Sequence, residues 1–256
     1  MVSKAQIQFI RSLDRKKERD ESGCFMAEGD KVVREALSLP PDSLFRIRLL
    51  YGLESWLEKY VTGATNHPVE TCIVSEQELH RISFLKTPNQ AVAVIQHPMV
   101  EAPVFDCRED LLIGLDQVQD PGNVGTIIRL AEWFGIAGVI ASMDSADLYS
   151  PKVVQASMGS VFRVNMVQTT LDPFLLSLPG GFPVYATTLS GAPVYQIELT
   201  QNGIILLGNE SKGLTTRYLQ LATCNLSIPD FALGTRPESL NVSLAAAILC
   251  SEFRRR

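Results

Sequence analysis

The chain has 256 residues, 46% hydrophobic and 20% charged, a globular balance that excludes a disordered chain and suits one large domain or two smaller ones. A net charge of −5 argues against a protein that coats nucleic acid indiscriminately, and no apolar run reaches the roughly 18 residues of a membrane span. Five cysteines without a C-x-x-C pair, three scattered histidines and a start lacking the apolar core of a signal peptide point to a reduced cytoplasmic protein with no metal.

Charge is uneven: residues 1–50 carry 10 Lys/Arg and 8 Asp/Glu, whereas the other 206 carry 13 and 20. A first region, residues 1–97, holds a polar helix over 4–20, helices near 29–38 and 53–60, an apolar stretch from Phe45 to Tyr51, and strands near 71–74 and 91–95. That alternation predicts a small α/β module. Arg11, Arg15, Lys16, Lys17 and Arg19 form a basic cluster on the first helix, and Arg254, Arg255 and Arg256 a basic tail. Each reads as an RNA contact or simply as a solvated surface. Residues 98–110, with Pro98 and Pro103 and no periodicity, predict a linker.

Residues 111–256 read as a doubly wound domain with a mainly parallel sheet. Its predicted strands are 111–115, 138–141, 161–167, 184–186, 204–207 and 226–228. Helical patterns separate most of them, as in 124–134, where Ile127, Leu130, Ala131 and Phe134 recur at helical spacing. The final segment, 240–253, is apolar almost all round, which predicts a helix buried on every side.

Three stretches at predicted strand ends carry the chemistry. Asp116 to Arg129 contains Asn123-Val124-Gly125, without the glycine spacing of a dinucleotide-binding loop. A purely structural reading caps the helix with Asn123 and pairs Arg129 with Glu132; a functional one lets Gly125 open space beside the Arg129 guanidinium. Leu207 to Leu214 places Gly208, Asn209, Glu210 and Gly213 after a buried strand, where glycines let a ligand approach the backbone. Ile228-Pro229 leads through a long loop to Ser239-Leu240-Asn241-Val242-Ser243, with Ser239 as a possible cap and Asn241 an amide that needs partners.

Together the three stretches resemble, in order and spacing, the motifs of the SpoU–TrmH RNA 2′-O-ribose methyltransferases. Phe25-Met26-Ala27-Glu28-Gly29 is similar to the start of that family's N-terminal substrate-binding module. The resemblance implies a trefoil knot around the C-terminal helix, a homodimer, and methyl transfer from S-adenosylmethionine to a ribose 2′-hydroxyl of structured RNA. Ribosomal RNA is expected over transfer RNA because a separate recognition module is present.

The resemblance assigns catalytic roles to Asn123, Arg129, Glu210, Ser239 and Asn241, and cofactor contacts to Thr188, Leu189, Gly208, Asn209, Ile228, Pro229 and Leu240. Candidate RNA contacts are Arg11, Lys16, Lys17, Glu28, Lys152 and Arg236. The 230–238 loop is longer and more polar than the family's Met-x-Gly segment. An arginine's pKa exceeds about 12, so Arg129 is expected to stabilise oxyanion charge or clamp a phosphate rather than act as an ordinary base. Two alternatives are an RNA-binding member that no longer methylates and a nicotinamide enzyme; the missing glycine fingerprint argues against the latter.

Overall fold

The computed structural model describes residues 2–61, 69–97, 105–232 and 239–255. The chain divides into two compact units, 1–101 with 149–162, and 102–148 with 163–256.

Unit 1 opens with two short helices, α1 (Lys4–Ser12) and α2 (Lys16–Ser22), where the sequence predicts one. The break has a physical anchor. Arg19 is 3% exposed, and its guanidinium donates to the carbonyls of Leu13 and Asp14 at 2.8 Å each, satisfying acceptors that the end of α1 leaves free. The unit continues with β1 (Cys24–Glu28), α3 (Asp30–Leu37), β2 (Arg46–Gly52), α4 (Glu54–Tyr60), β3 (Glu70–Ile73), α5 (Glu76–Ile82) and β4 (Ala91–Gln96). The sheet order is β1-β4-β2-β3, with β4 antiparallel to both neighbours and β2 parallel to β3. Ile10, Leu13, Met26, Tyr51, Leu79, Ile82 and Val94 form its core.

Unit 2 contains β5 (Leu111–Leu115), α6 (Pro121–Trp133) and β6 (Gly138–Ser142). The next helix, α7 (Pro151–Ser157), falls in unit 1, where the 149–162 segment packs on β1. Tyr149 stacks on His97 at 4.8 Å between ring centroids, and Phe162 meets Phe45 edge-on at 5.5 Å. That packing explains a correction: 161–167 is not one strand. Val161 and Phe162 belong to a short 3₁₀ turn, Ser160–Phe162, and the strand β7 is Asn165–Thr169.

The rest of unit 2 is α8 (Leu171–Ser177), β8 (Val184–Pro193), β9 (Gly203–Leu207), α9 (Thr216–Leu221), β10 (Cys224–Ser227) and α10 (Val242–Arg254). The sheet order is β10-β8-β9-β5-β6-β7, and every pairing is parallel. Strands β5, β6 and β9 are buried at every residue, as a sheet covered on both faces requires. The chain builds from β5 outward to β7, then crosses to the other side of β5. The strand order therefore switches between β5 and β9, and crevices for ligands open at strand C-termini beside such a switch.

The last helix departs from expectation. Val242, Ala246, Leu249, Cys250 and Phe253 are buried, but Leu244 is 58% exposed and Leu240, just before the helix, 47%. Hence α10 is not enclosed on every side within one chain. It lies beside α6 and parallel to it: Asn241 touches Asn123 at the N-terminal ends, and Arg254 donates to the carbonyls of Phe134 and Gly135 at the C-terminal ends, at 2.8 and 2.5 Å. The arginine meets carbonyls left over at the end of α6, where positive charge is favoured.

Candidate active site

Three loops leave the C-terminal ends of β8, β9 and β10. Strand β8 is interrupted: Asn225 pairs with Ala186, but Leu226 pairs with Ala192, so Thr187 to Gly191 bulge out of the ladder. That bulge, the loop after β9, Ile228 after β10, and Leu240, Val242, Ala245 and Leu249 enclose a cavity of about 400 Å³. This is within the roughly 300–1,000 Å³ of small-ligand pockets. Leu207, Leu214, Leu226, Leu240 and Leu249 are among the apolar residues lining it, and the charged ones among the described residues are Glu210 and Lys212.

The loop after β9 is tightly wound. Gly208 lies so close to Gly213 that a Cβ on it would stand 2.3 Å from the Gly213 carbonyl carbon and from the Leu214 nitrogen. Asn209 and Gly213 exchange backbone hydrogen bonds, and the Asn209 Oδ1 accepts from the N–H groups of Ser211 and Lys212, at 3.0 Å each. Its Nδ2 donates to the Gln117 carbonyl at 2.9 Å, joining this loop to the one after β5.

The β5–α6 loop is held from below. Asp116 is 3% exposed and accepts from the Thr215 N–H at 2.8 Å. Gln117 adopts φ +55°, an uncommon conformation for a residue other than glycine and one often found at functional sites. Its N–H donates to the Ser142 hydroxyl at 2.9 Å, and that of Val118 to the Ser145 hydroxyl at 3.1 Å. Local sequence patterns assign no role to Asp116, Gln117, Ser142 or Ser145. The available signal was an acidic residue placed directly after a wholly apolar strand.

Two structural readings of the sequence are corrected. Asp120, not Asn123, caps α6, accepting from the Asn123 N–H at 2.8 Å. Asn241, not Ser239, caps α10. Asn123 is thereby freed to bridge two other motifs: its Nδ2 donates to Glu210 Oε1 at 2.9 Å, and its Oδ1 accepts from Asn241 Nδ2 at 2.9 Å. Glu132 pairs with Arg163 rather than Arg129. Arg129 is exposed on α6 and makes no hydrogen bond or ion pair among the described residues. Gly125 is buried.

Of the residues expected at the cofactor, Thr188, Leu189, Gly208, Asn209, Ile228 and Leu240 line the cavity; Pro229 does not. Glu210 and Ser239 line it too, while Asn123 adjoins Glu210 and Asn241 adjoins Asn123. Among the described residues, no group of three His, Cys, Asp or Glu is placed to hold a metal ion.

The candidate RNA contacts sit differently. Lys16 and Lys17 pair with Asp20 and Glu21 one turn on, in exposed pairs of small energetic worth that offset the cluster's charge. Arg11 donates to the Ser83 carbonyl at 2.6 Å and lies over the Phe84 ring. Lys152 is exposed on α7, and Arg236 lies outside the described residues.

Glu28 is inside unit 1, 4% exposed, accepting from the Ser83 hydroxyl at 2.6 Å and the Phe84 N–H at 3.1 Å. Those bonds tie β1 to the segment after α5. Burial pushes the Glu28 carboxyl above the ordinary glutamate value of 4.5, and those hydrogen bonds and the Arg11 charge offset only part of the rise. A raised native value favours the protonated form. Its contribution to stability is therefore full below the ordinary value and lost as pH rises through the raised one. Glu28→Gln is expected to gain stability relative to the parent as pH rises from acidic to neutral, read by urea unfolding across pH; a gain that shrinks with pH would contradict this account.

A parallel sheet whose C-terminal edge carries a cavity built from three amide- and glycine-bearing loops and a returning helix defines an α/β ligand-binding enzyme domain. Residues 110–251 match the SpoU rRNA Methylase family, and residues 4–93 the MRM3-like substrate binding domain. The chain belongs to the SpoU rRNA Methylase family.

Among its relatives is the 23S rRNA (guanosine(2553)-2′-O)-methyltransferase RlmP of Bacillus subtilis, 33% identical over 95% of this chain and 94% of the relative. A solved TrmH-family structure from Porphyromonas gingivalis is 41% identical, with a TM-score of 0.85 over 100% of this chain and 99% of that one. An AdoMet-bound rRNA methyltransferase from Sinorhizobium meliloti is 30% identical, with a TM-score of 0.86 over 100% and 97%.

Proposed function

We propose that this chain transfers a methyl group from S-adenosylmethionine to the 2′-hydroxyl of a ribose in ribosomal RNA. The observation that carries this reading is the cavity at the ends of β8, β9 and β10, with α10 as one wall and the Asn123, Glu210 and Asn241 side chains linked at its edge. The cavity's size, apolar residues, polar Thr188, Asn209 and Ser239, and acidic Glu210 suit a compact cation with an apolar ring and several polar groups. When bound, the cofactor supplies an electrophilic methyl on a sulfonium leaving group.

The protein's part is placement and charge. Thr188, Leu189, Gly208, Asn209, Ile228 and Leu240 hold the donor, and the tight Gly208–Gly213 turn lets backbone groups reach it. The Arg129 guanidinium stabilises the negative charge that develops on the ribose oxygen, or clamps the neighbouring phosphate, while the hydroxyl proton leaves to an adjacent carboxylate or to water. Holding that oxygen in line with the methyl group supplies much of the rate. Unit 1, which matches a substrate-binding module, selects the RNA.

The test uses purified protein, methyl-labelled S-adenosylmethionine, and ribosomal and transfer RNA in parallel. Label in ribosomal RNA, at a linkage that resists alkaline cleavage, is expected. Label on a base, in transfer RNA only, or in neither RNA would sink the reading.

A homodimer and a threaded C-terminus belong to the same proposal. Strand β10 is an edge strand beyond β8 and β9, yet α10, which follows it, lies beside α6. Such a return path suits a knot. Trp133 on α6 is 83% exposed and Leu244 on α10 58%, apolar side chains on one helix pair that a second copy of the chain would cover. Trp133→Glu combined with Leu244→Glu is expected to yield monomers in sedimentation equilibrium; an unchanged dimer, or a monomeric parent, would refute that interface. Five unpaired cysteines suit a reducing compartment, and we place the protein in the cytoplasm.

A further inference from the structure

We infer that Asn241 acts as a positioning residue: through the fixed polarity of its amide it orients Asn123, and through Asn123 it holds Glu210 as a hydrogen-bond acceptor facing the cavity. This rests on the function proposed above.

The direction of the chain of bonds follows from elementary chemistry. Asn241 Oδ1 accepts from the N–H groups of Ser243 at 2.9 Å and Leu244 at 3.3 Å, and from the Ser243 hydroxyl at 2.7 Å. Backbone N–H groups only donate, so the amide oxygen must face the helix and the Nδ2 must face away. The group that meets this Nδ2 must be an acceptor, which sets Asn123 with Oδ1 toward Asn241. Asn123 Nδ2 then points at Glu210 and requires an acceptor there, which a carboxylate oxygen provides. No member can be flipped alone without setting donor against donor or acceptor against acceptor.

The cap of α10 thus determines what Glu210 can do. One carboxylate oxygen is engaged by Asn123, while Oε2 has no partner among the described residues on a side chain that lines the cavity. Oε2 is left to receive a donor of the bound ligands. In methyl transfer that donor is a hydroxyl of the target ribose, which a fixed acceptor holds in register. Three loops far apart in sequence are tied by two bonds, so cofactor-side and substrate-side geometry are set together.

Two substitutions separate this role from simple capping. Asn241→Asp keeps a strong helix cap but removes the donor to Asn123. Asn123→Asp leaves the cap untouched and keeps the acceptor for Asn241, but removes the donor to Glu210. Each sets acceptor against acceptor, and Asn123→Asp adds a carboxylate beside Glu210, so both are expected to stay folded with melting temperatures lowered by about 4–8 °C. Cofactor affinity by calorimetry and KM for RNA are expected to stay within threefold, while kcat falls by about 100-fold.

Either folded variant with kcat within threefold of the parent would overturn the inference, and so would a loss confined to cofactor affinity. A parent that methylates no RNA would refute the proposed function instead, which the same assay reports separately.

Discussion

Replacing Arg129 by alanine is expected to lower kcat by about 1,000-fold or more while leaving cofactor affinity within threefold, measured by single-turnover methylation and by calorimetry with S-adenosylmethionine. The structure explains why the two readouts should part. Arg129 does not line the cavity, so its loss removes no cofactor contact. It is exposed and without a partner among the described residues, so its loss breaks no internal ion pair. Its charge is available for the reaction, and a group that stabilises charge only in the transition state acts on kcat alone. A 1,000-fold loss corresponds to about 4 kcal/mol, the upper end of what removing a transition-state donor costs. Lysine is expected to restore little, since an ammonium cannot reproduce a planar fork on a phosphate or developing oxyanion. Full turnover by Arg129→Ala would remove Arg129 from the chemistry.

Gly208→Ala is expected to act on the other half of the site, weakening cofactor binding by on the order of 100-fold. The added Cβ would fall 2.3 Å from the Gly213 carbonyl carbon and the Leu214 nitrogen, both backbone atoms that no rotamer change can move aside. The 208–213 turn must open, at a cost of about 1–3 kcal/mol for overpacking. The turn also carries Asn209, whose side chain ties it to Gln117, so the strain spreads to the loop after β5. At about 1.4 kcal/mol per tenfold, the upper end of that range gives the predicted loss. The variant should fold with a lowered melting temperature. A dissociation constant within threefold of the parent would show that the close approach of Gly208 and Gly213 is not needed for the ligand.

The two effects fall on different partners because the site is layered. The β8, β9 and β10 loops and α10 line the cavity, Glu210 among them, and Asn123 and Asn241 stand one and two bonds behind. Arg129 lies about 1.7 turns along α6 from Asn123 and is reached from solvent rather than from the cavity.

Local patterns sufficed for much of this. A wholly apolar run such as Leu111 to Leu115 has few uses besides a doubly covered strand, and the first two motif stretches each begin at the end of such a run, whereas the third follows the mixed strand Cys224–Ser227. Strand ends, glycines and amides in order along the chain were enough to place the site at one edge of a parallel sheet. What failed were readings of partners and exposure. Asn123 looked like a cap and Glu132 like the mate of Arg129, because only neighbours are visible in a sequence; Asp120 and Arg163 took those roles. The basic cluster of 11–19 looked like a surface patch, although Arg19 is spent on the carbonyls that end α1.

The amino-acid sequence by itself determined the parallel α/β class, the positions of the three motifs and the residue types at the candidate site, since these follow from periodicity and backbone chemistry over a few residues. Tertiary structure alone decided that α7 joins unit 1, that β8 bulges over the cavity, that α10 keeps an exposed apolar side, and that Asn241, Asn123 and Glu210 share two hydrogen bonds across 118 and 87 residues of chain. The physical reason is that a hydrogen bond or a packed face needs a second surface, and which surface arrives there depends on how the sheet is crossed.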